Sequence, residues 1–200
     1  YIFLQMIFFE QWKQLSKYAK EQGVSIIGDI PIYVAMDSAD TWANPDLFQL
    51  DAQCRPTAVA GCPPDAFTAD GQLWGNPLYR WDVMARDGYR WWLDRIRASL
   101  ELFDAVRIDH FRGFESYYAI PYGEVTAKNG KWVKGPGKGL IAAIKQSFPN
   151  VQIIAEDLGF LTQEVKELLS YSGFPGMKII QFAFDSREKS DYIPFKYSRN

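Results

Sequence analysis

The 200-residue chain carries a formal net charge of −2, is 48% hydrophobic, and holds one histidine and two cysteines. That is ample for a buried core and far from a disordered composition. The near-neutral balance and the lack of any Lys/Arg run exclude an electrostatic nucleic-acid surface, no apolar run is long enough to span a bilayer, and Cys54 and Cys62 make neither a disulfide framework nor a zinc site.

Tyr1-Ile-Phe-Leu lacks a basic leader and a cleavage pattern, so it reads as the inside of a domain rather than a signal peptide. Free thiols fit a reduced cytoplasm. Residues 8–22 place Phe8, Trp12, Leu15, Tyr18 and Ala19 on one helical face, with Gly23 as the stop. Residues 24–30 then read as a strand ended by Pro31, with Asp29 near its end. Residues 34–87, opening after Tyr33, are rich in Asp, Asn, Pro and Gly and show little periodicity. They read as an ordered, loop-rich subdomain inserted over one end of the fold. Within this excursion Trp42, Trp74, Tyr79 and Trp81 sit in polar surroundings, where an aromatic face either meets the C–H face of a sugar or packs beneath the loop.

Residues 88–102 return to helix, with Tyr89, Trp92, Leu93, Ile96 and Leu100 in one stripe. A strand follows at 104–108. Residues 114–136 read as a second aromatic loop and 138–147 as a short helix. Residues 151–155 form a buried strand, Thr162 caps a further helix, and 177–184 read as a fourth strand. Alternating strands and helices imply an α/β fold with a parallel sheet.

Charge gathers at the strand ends. Arg107 and Asp109 share one side of their strand, and Val106 and Ile108 the other. Charged residues are rarely buried unless paired, so this strand end reads either as a functional site or as an ion pair that fixes the strand. Glu156 and Asp185 end the next two strands. In parallel α/β folds, and above all in (β/α)8 barrels, sites are built at the C-terminal strand ends. Two carboxylates from successive strands suit glycosidic bond cleavage, where retaining enzymes hold them about 5–5.5 Å apart. Arg107 would favour the charged form of Asp109, and an apolar setting would keep Glu156 protonated for acid catalysis. Asp37, Asp40, Asn44 and Asp46 lack calcium-loop spacing, Gly135-Pro-Gly-Lys-Gly139 is not a phosphate loop, and no nucleophile elbow is present.

Six segments taken together are highly specific: Gly28-Asp-Ile-Pro-Ile-Tyr-Val-Ala35, Asp37-Ser-Ala-Asp40, Ala60-Gly-Cys-Pro-Pro-Asp65, Gly71-Gln-Leu-Trp-Gly-Asn-Pro77, Arg107-Ile-Asp-His-Phe-Arg-Gly113 and Ala155-Glu-Asp-Leu-Gly159. In this order the chain resembles the 4-α-glucanotransferases, the amylomaltases or disproportionating enzymes, over essentially its whole length. The resemblance implies a (β/α)8 TIM barrel of the α-amylase type and retaining transfer of α-1,4-glucan segments between maltooligosaccharides, with no metal or organic cofactor. It implies Asp109 as nucleophile, Glu156 as general acid/base, Arg107 as support for Asp109, and His110 beside the scissile bond. Trp74 would cover the acceptor side, Asp65 and Asn76 would contact sugar, and Asp185 would line the donor pocket. The family's third acid, in a His-Asp-Asn motif, has no match. A barrel alone typically takes about 250 residues. The chain is therefore expected to be an internal fragment, inactive in isolation, holding about four consecutive strands of the barrel. Two other readings of the same features are an α-amylase-class hydrolase and a non-catalytic glucan-binding module. Cytoplasm is the expected setting, or a plastid in a plant.

Overall fold

A computed structural model describes residues 1–66, 68–159, 161–184 and 192–197. The first helix, α1, spans Ile2–Glu21, six residues longer at its start than its periodicity suggests. Residues 1–7 are apolar on nearly every side, so they carry no amphipathic signal although they continue the helix. The helix buries none of its residues and is anchored through Trp12, whose Nε1 donates to Leu102 O at 2.9 Å. Strand β1, Ile27–Ile30, follows. Gly28 is required there, because a Cβ would lie 2.0 Å from the Phe103 ring.

The excursion that follows contains regular structure. It holds α2 (Ala39–Ala43, capped by Ser38), β2 (Ala58–Cys62), β3 (Gln72–Pro77) and α3 (Trp81–Arg86). Next come α4 (Arg90–Leu100), β4 (Ala105–Ile108), β5 (Ser116–Pro121), β6 (Lys131–Lys134), α5 (Lys138–Ser147), β7 (Ile153–Ala155) and α6 (Gln163–Ser172), the last capped by Thr162 as expected.

Two sheets result. The parallel sheet has the order β1-β4-β7, and the antiparallel sheet the order β3-β2-β5-β6. The antiparallel sheet corrects the expectation of loop at both 34–87 and 114–136. Its strands hide from sequence for a physical reason: Val59, Tyr118 and Ile120 face a small core of their own, while Ala60, Tyr117 and Ala119 face the main core. With both faces buried, hydrophobic alternation disappears.

A second correction concerns 177–184. The segment does not join the parallel sheet, and Ile180–Phe184 is a 3-10 turn. Ala155 N donates to Pro175 O at 2.9 Å, but proline has no N–H to return. The Met177 N–H goes instead to Asp157 Oδ1 at 2.7 Å, so no ladder starts. Three strands, not four, therefore form the parallel sheet among the described residues. Asp185 lies outside them.

The main core joins Ile30, Val106, Ile108 and Ile153 of the parallel sheet to Trp92, Ile96, Leu140, Ile144 and Leu168 of the helices. A fully buried aliphatic side chain such as Ile96 contributes roughly 1.5–3 kcal/mol. Tyr79 and Trp81 belong to this core, which decides between packing and sugar contact for those two aromatics. Trp42 and Trp74 keep exposed faces.

Candidate active site

Parallel strands bring their C-terminal ends to one edge, and the backbone continues the ladder just past them. Asp109 N donates to Ile30 O at 2.9 Å, Glu156 N to Ile108 O at 3.0 Å, and Phe111 N to Glu156 O at 3.1 Å. These bonds fix the residues after β4 and β7 as firmly as the strands themselves.

Register places Asp29 of β1 directly beside Arg107 of β4. Facing positions on adjacent strands put side chains within reach of each other. Arg107 Nη1 donates to both Asp29 oxygens, at 2.7 and 2.8 Å, and Nη2 to Asp109 Oδ1 at 2.5 Å. Its Nε donates to Met177 Sδ at 3.1 Å. Burial works against the guanidinium charge, but the Asp29 and Asp109 carboxylates outweigh it and raise the Arg107 pKa. The Arg107, Asp109 and Asp29 side chains are 25%, 43% and 59% exposed, so the ion-paired cluster is open to solvent. Asp29 thus joins the Arg107–Asp109 cluster, although the sequence marked it only as a strand-end acid without giving it a role.

Glu156 stands in different surroundings. It is buried, and each of its oxygens takes one backbone N–H: Oε2 from His110 at 2.8 Å and Oε1 from Leu158 at 2.7 Å. Burial raises its pKa. The two N–H bonds and Arg107 oppose that rise, Asp109 adds to it, and the net direction is upward. Two carboxylates on adjacent strand ends are therefore held differently, one against a cation and one buried on backbone donors.

His110 links them. It adopts the left-handed conformation, φ 54° and ψ 47°, which histidine tolerates better than most residues. That turn aims its N–H at Glu156. Its Nε2 is shielded from solvent and has no hydrogen-bond partner among the described residues. Burial, followed by the charge of Arg112, lowers its pKa to about 4, so the imidazole is neutral near pH 7.

Trp74 meets His110 edge to face with ring centroids 4.9 Å apart, bringing the β2–β3 hairpin over the strand ends. Asp65 Oδ1 accepts from Thr68 N at 2.7 Å and Thr68 Oγ1 at 3.1 Å, shaping the loop after β2. Burial pushes the Cys62 thiol up to about 11, opposed by the charge of Arg112 and aided by those of Asp65 and Glu156. Asn76 Nδ2 donates to Val34 O at 2.9 Å and tethers β3 to the chain after β1. The structure therefore gathers Arg107, Asp109, His110, Glu156 and Trp74, sets Asp65 at the loop above, and uses the Asn76 amide as a tether. Among the described residues no group of three or more His, Cys, Asp or Glu is placed to hold a metal ion, and no helix is long and apolar enough to cross a membrane.

A family model described as 4-alpha-glucanotransferase matches residues 1–200. A 4-alpha-glucanotransferase of Clostridium butyricum is 54% identical over 199 residues, covering 99% of this chain and 41% of that protein. One from Streptococcus pneumoniae serotype 4 is 57% identical over 186 residues, covering 93% and 37%. The amylomaltase from Streptococcus agalactiae, solved in complex with acarbose, superposes with a TM-score of 0.93 at 45% identity over 97% of this chain and 39% of that one. The chain spans 37–41% of the length of these curated relatives.

Proposed function

The chain belongs to the 4-alpha-glucanotransferase family, and from that membership we propose that it supplies the nucleophile and the acid/base of a retaining α-1,4-glucan transfer. One observation carries the assignment of roles: the two carboxylates at adjacent strand ends differ in setting, with Asp109 on Arg107 and Glu156 buried on backbone N–H groups. Asp109 attacks the anomeric carbon as Glu156 gives its proton to the departing 4-oxygen, leaving a glucosyl ester on Asp109. Glu156, now ionised, takes the proton from the 4-hydroxyl of an incoming maltooligosaccharide, whose oxygen displaces Asp109. The raised pKa of Glu156 suits the first step, and Arg107 supports the departing carboxylate in the second.

Neutral His110 stands beside the scissile bond, Trp74 covers the acceptor side, and Asp65 and Asn76 lie on that same hairpin. Asp185 is assigned to the donor pocket on resemblance alone. An acarbose complex in a relative supports an oligosaccharide substrate. The parallel sheet is read as part of a (β/α)8 barrel, residues 1–200 as its central portion, and 34–87 as an inserted subdomain. The rest of the barrel and a third acid fall to chain outside these residues. No cofactor or metal is assigned. Free Cys54 and Cys62 suit a cytoplasmic setting, or a plastid in a plant.

The test is Asp109→Asn in the full-length protein, with maltotriose as donor and acceptor. Wild type should give glucose and a ladder of longer glucans, and the variant neither. Shorter sugars alone from wild type would make it a hydrolase. Unchanged turnover in the variant would reduce the chain to a glucan-binding module.

A further inference from the structure

Guanidinium is planar and presents N–H donors from three nitrogens. In Arg107 two of these nitrogens serve carboxylates, Nη1 both oxygens of Asp29 and Nη2 Asp109. The third, Nε, donates to a neutral atom, Met177 Sδ, at 3.1 Å. Met177 reaches it from the edge of β7 away from β4. N–H directions alternate along a strand, so Glu156 N bonds Ile108 of β4 while Ala155 N bonds Pro175 O. Asp157, itself buried, then accepts the Met177 N–H at 2.7 Å. Gly176 lies flat against the same carboxylate, where a Cβ would come within 2.6 Å of Asp157 Oδ2. Glu156 and Asp157 therefore face different tasks: the first turns toward His110, the second clamps the segment that carries Met177.

We propose that Met177, held by Asp157 and Gly176, is a positioning residue that sets the plane of the Arg107 guanidinium and thereby the direction of the Nη2–Asp109 bond. This rests on the reading of Asp109 as nucleophile. Asp29 alone is a poor guide for that plane, because it grips a single nitrogen and its side chain is 59% exposed. A contact at Nε, on the other edge of the group, removes the remaining swing. The acceptor is also suited to the charge balance. Two carboxylates already face one cation, and a third would compete with Asp109 for it. A thioether accepts weakly, is polarizable and brings no charge.

Two variants of the full-length protein test this. Met177→Leu keeps the volume and removes the acceptor, whereas Met177→Gln keeps an acceptor of similar length. With maltotriose, Met177→Leu should lower kcat roughly 3- to 10-fold while KM stays within about twofold, because the contact supports the reacting carboxylate and not the sugar. Met177→Gln should recover most of that loss. Wild-type kcat in Met177→Leu overturns the proposal. So does an equal fall in both variants, or a change confined to KM, since packing or substrate binding would then be the cause. Asp109→Asn is run alongside. If that variant keeps its turnover, the functional reading fails, whereas a dead Asp109→Asn with a fully active Met177→Leu overturns the positioning role alone.

Discussion

Replacing His110 with asparagine separates a titrating ring from the backbone turn that carries it. Asparagine tolerates the left-handed conformation, so the His110 N–H bond to Glu156 at 2.8 Å is kept while the imidazole is lost. The folded ring titrates at about 4 against an ordinary value of 6.5, chiefly because burial disfavours the charged form. A depressed pKa means that this contribution to stability is complete above 6.5 and is lost as pH falls to about 4. A tenfold weakening of proton affinity on folding corresponds to about 1.36 kcal/mol, so His110 alone should remove about 3 kcal/mol of stability between those limits. Urea melts of wild type and His110→Asn at pH 7, 6, 5 and 4 measure it. The difference between the two proteins cancels the titration of Glu156 and every other carboxylate, and it should move by about 3 kcal/mol in favour of the variant at pH 4. Because His110 is the single histidine of this chain, its ring protons also follow the titration directly by NMR. A pH-independent difference, or a midpoint near 6.5, would refute the shielded-imidazole account.

Two more outcomes follow from the geometry. Gly28→Ala would drive a methyl into the Phe103 ring, 2.0 Å away, and should cost about 1–3 kcal/mol of stability in a denaturant melt, with most of the effect absent when Phe103 is also truncated. Glu156→Gln should lower turnover on maltotriose by about 10²–10⁴. A glucosyl fluoride donor, whose leaving group needs no proton, should restore the first half-reaction and trap the ester. In wild type, because burial raises the Glu156 pKa, the proton needed for that half-reaction is lost only as pH rises through the raised value. A fluoride donor that gives no rescue would argue against the acid role.

The parallel sheet was legible because β4 and β7 are short, largely apolar runs that end abruptly in charge, and α1, α4, α5 and α6 because their apolar stripes are bounded by Gly or Thr, whereas α2 and α3 lie in the excursion read as loop. The antiparallel sheet was not. β3 is written largely in turn residues, Gly75, Asn76 and Pro77, and β5 is buried on both faces, which leaves no alternation to read. At 177–184 the sequence has strand composition, yet Pro175 and the side chain of Asp157 pre-empt the backbone partners a strand would need. Arg107, Asp109 and Glu156 stood out in the sequence because charge at the end of an apolar strand is costly to bury. Asp29 and Met177 did not, since what places them against Arg107 is register across the sheet and a bond from 70 positions away.

The left-handed turn at His110 has a bearing on how the proposed transfer can run in both directions. One peptide unit separates the residue that would hold the ester from the N–H that grips the proton carrier on the neighbouring strand. The spacing of the two acids is thus written into main chain and does not depend on two side chains finding each other anew. Donor and acceptor in a glucan exchange are the same kind of molecule, so each passage over the barrier is the other's reverse. A jig made of backbone serves both passages with no resetting between them.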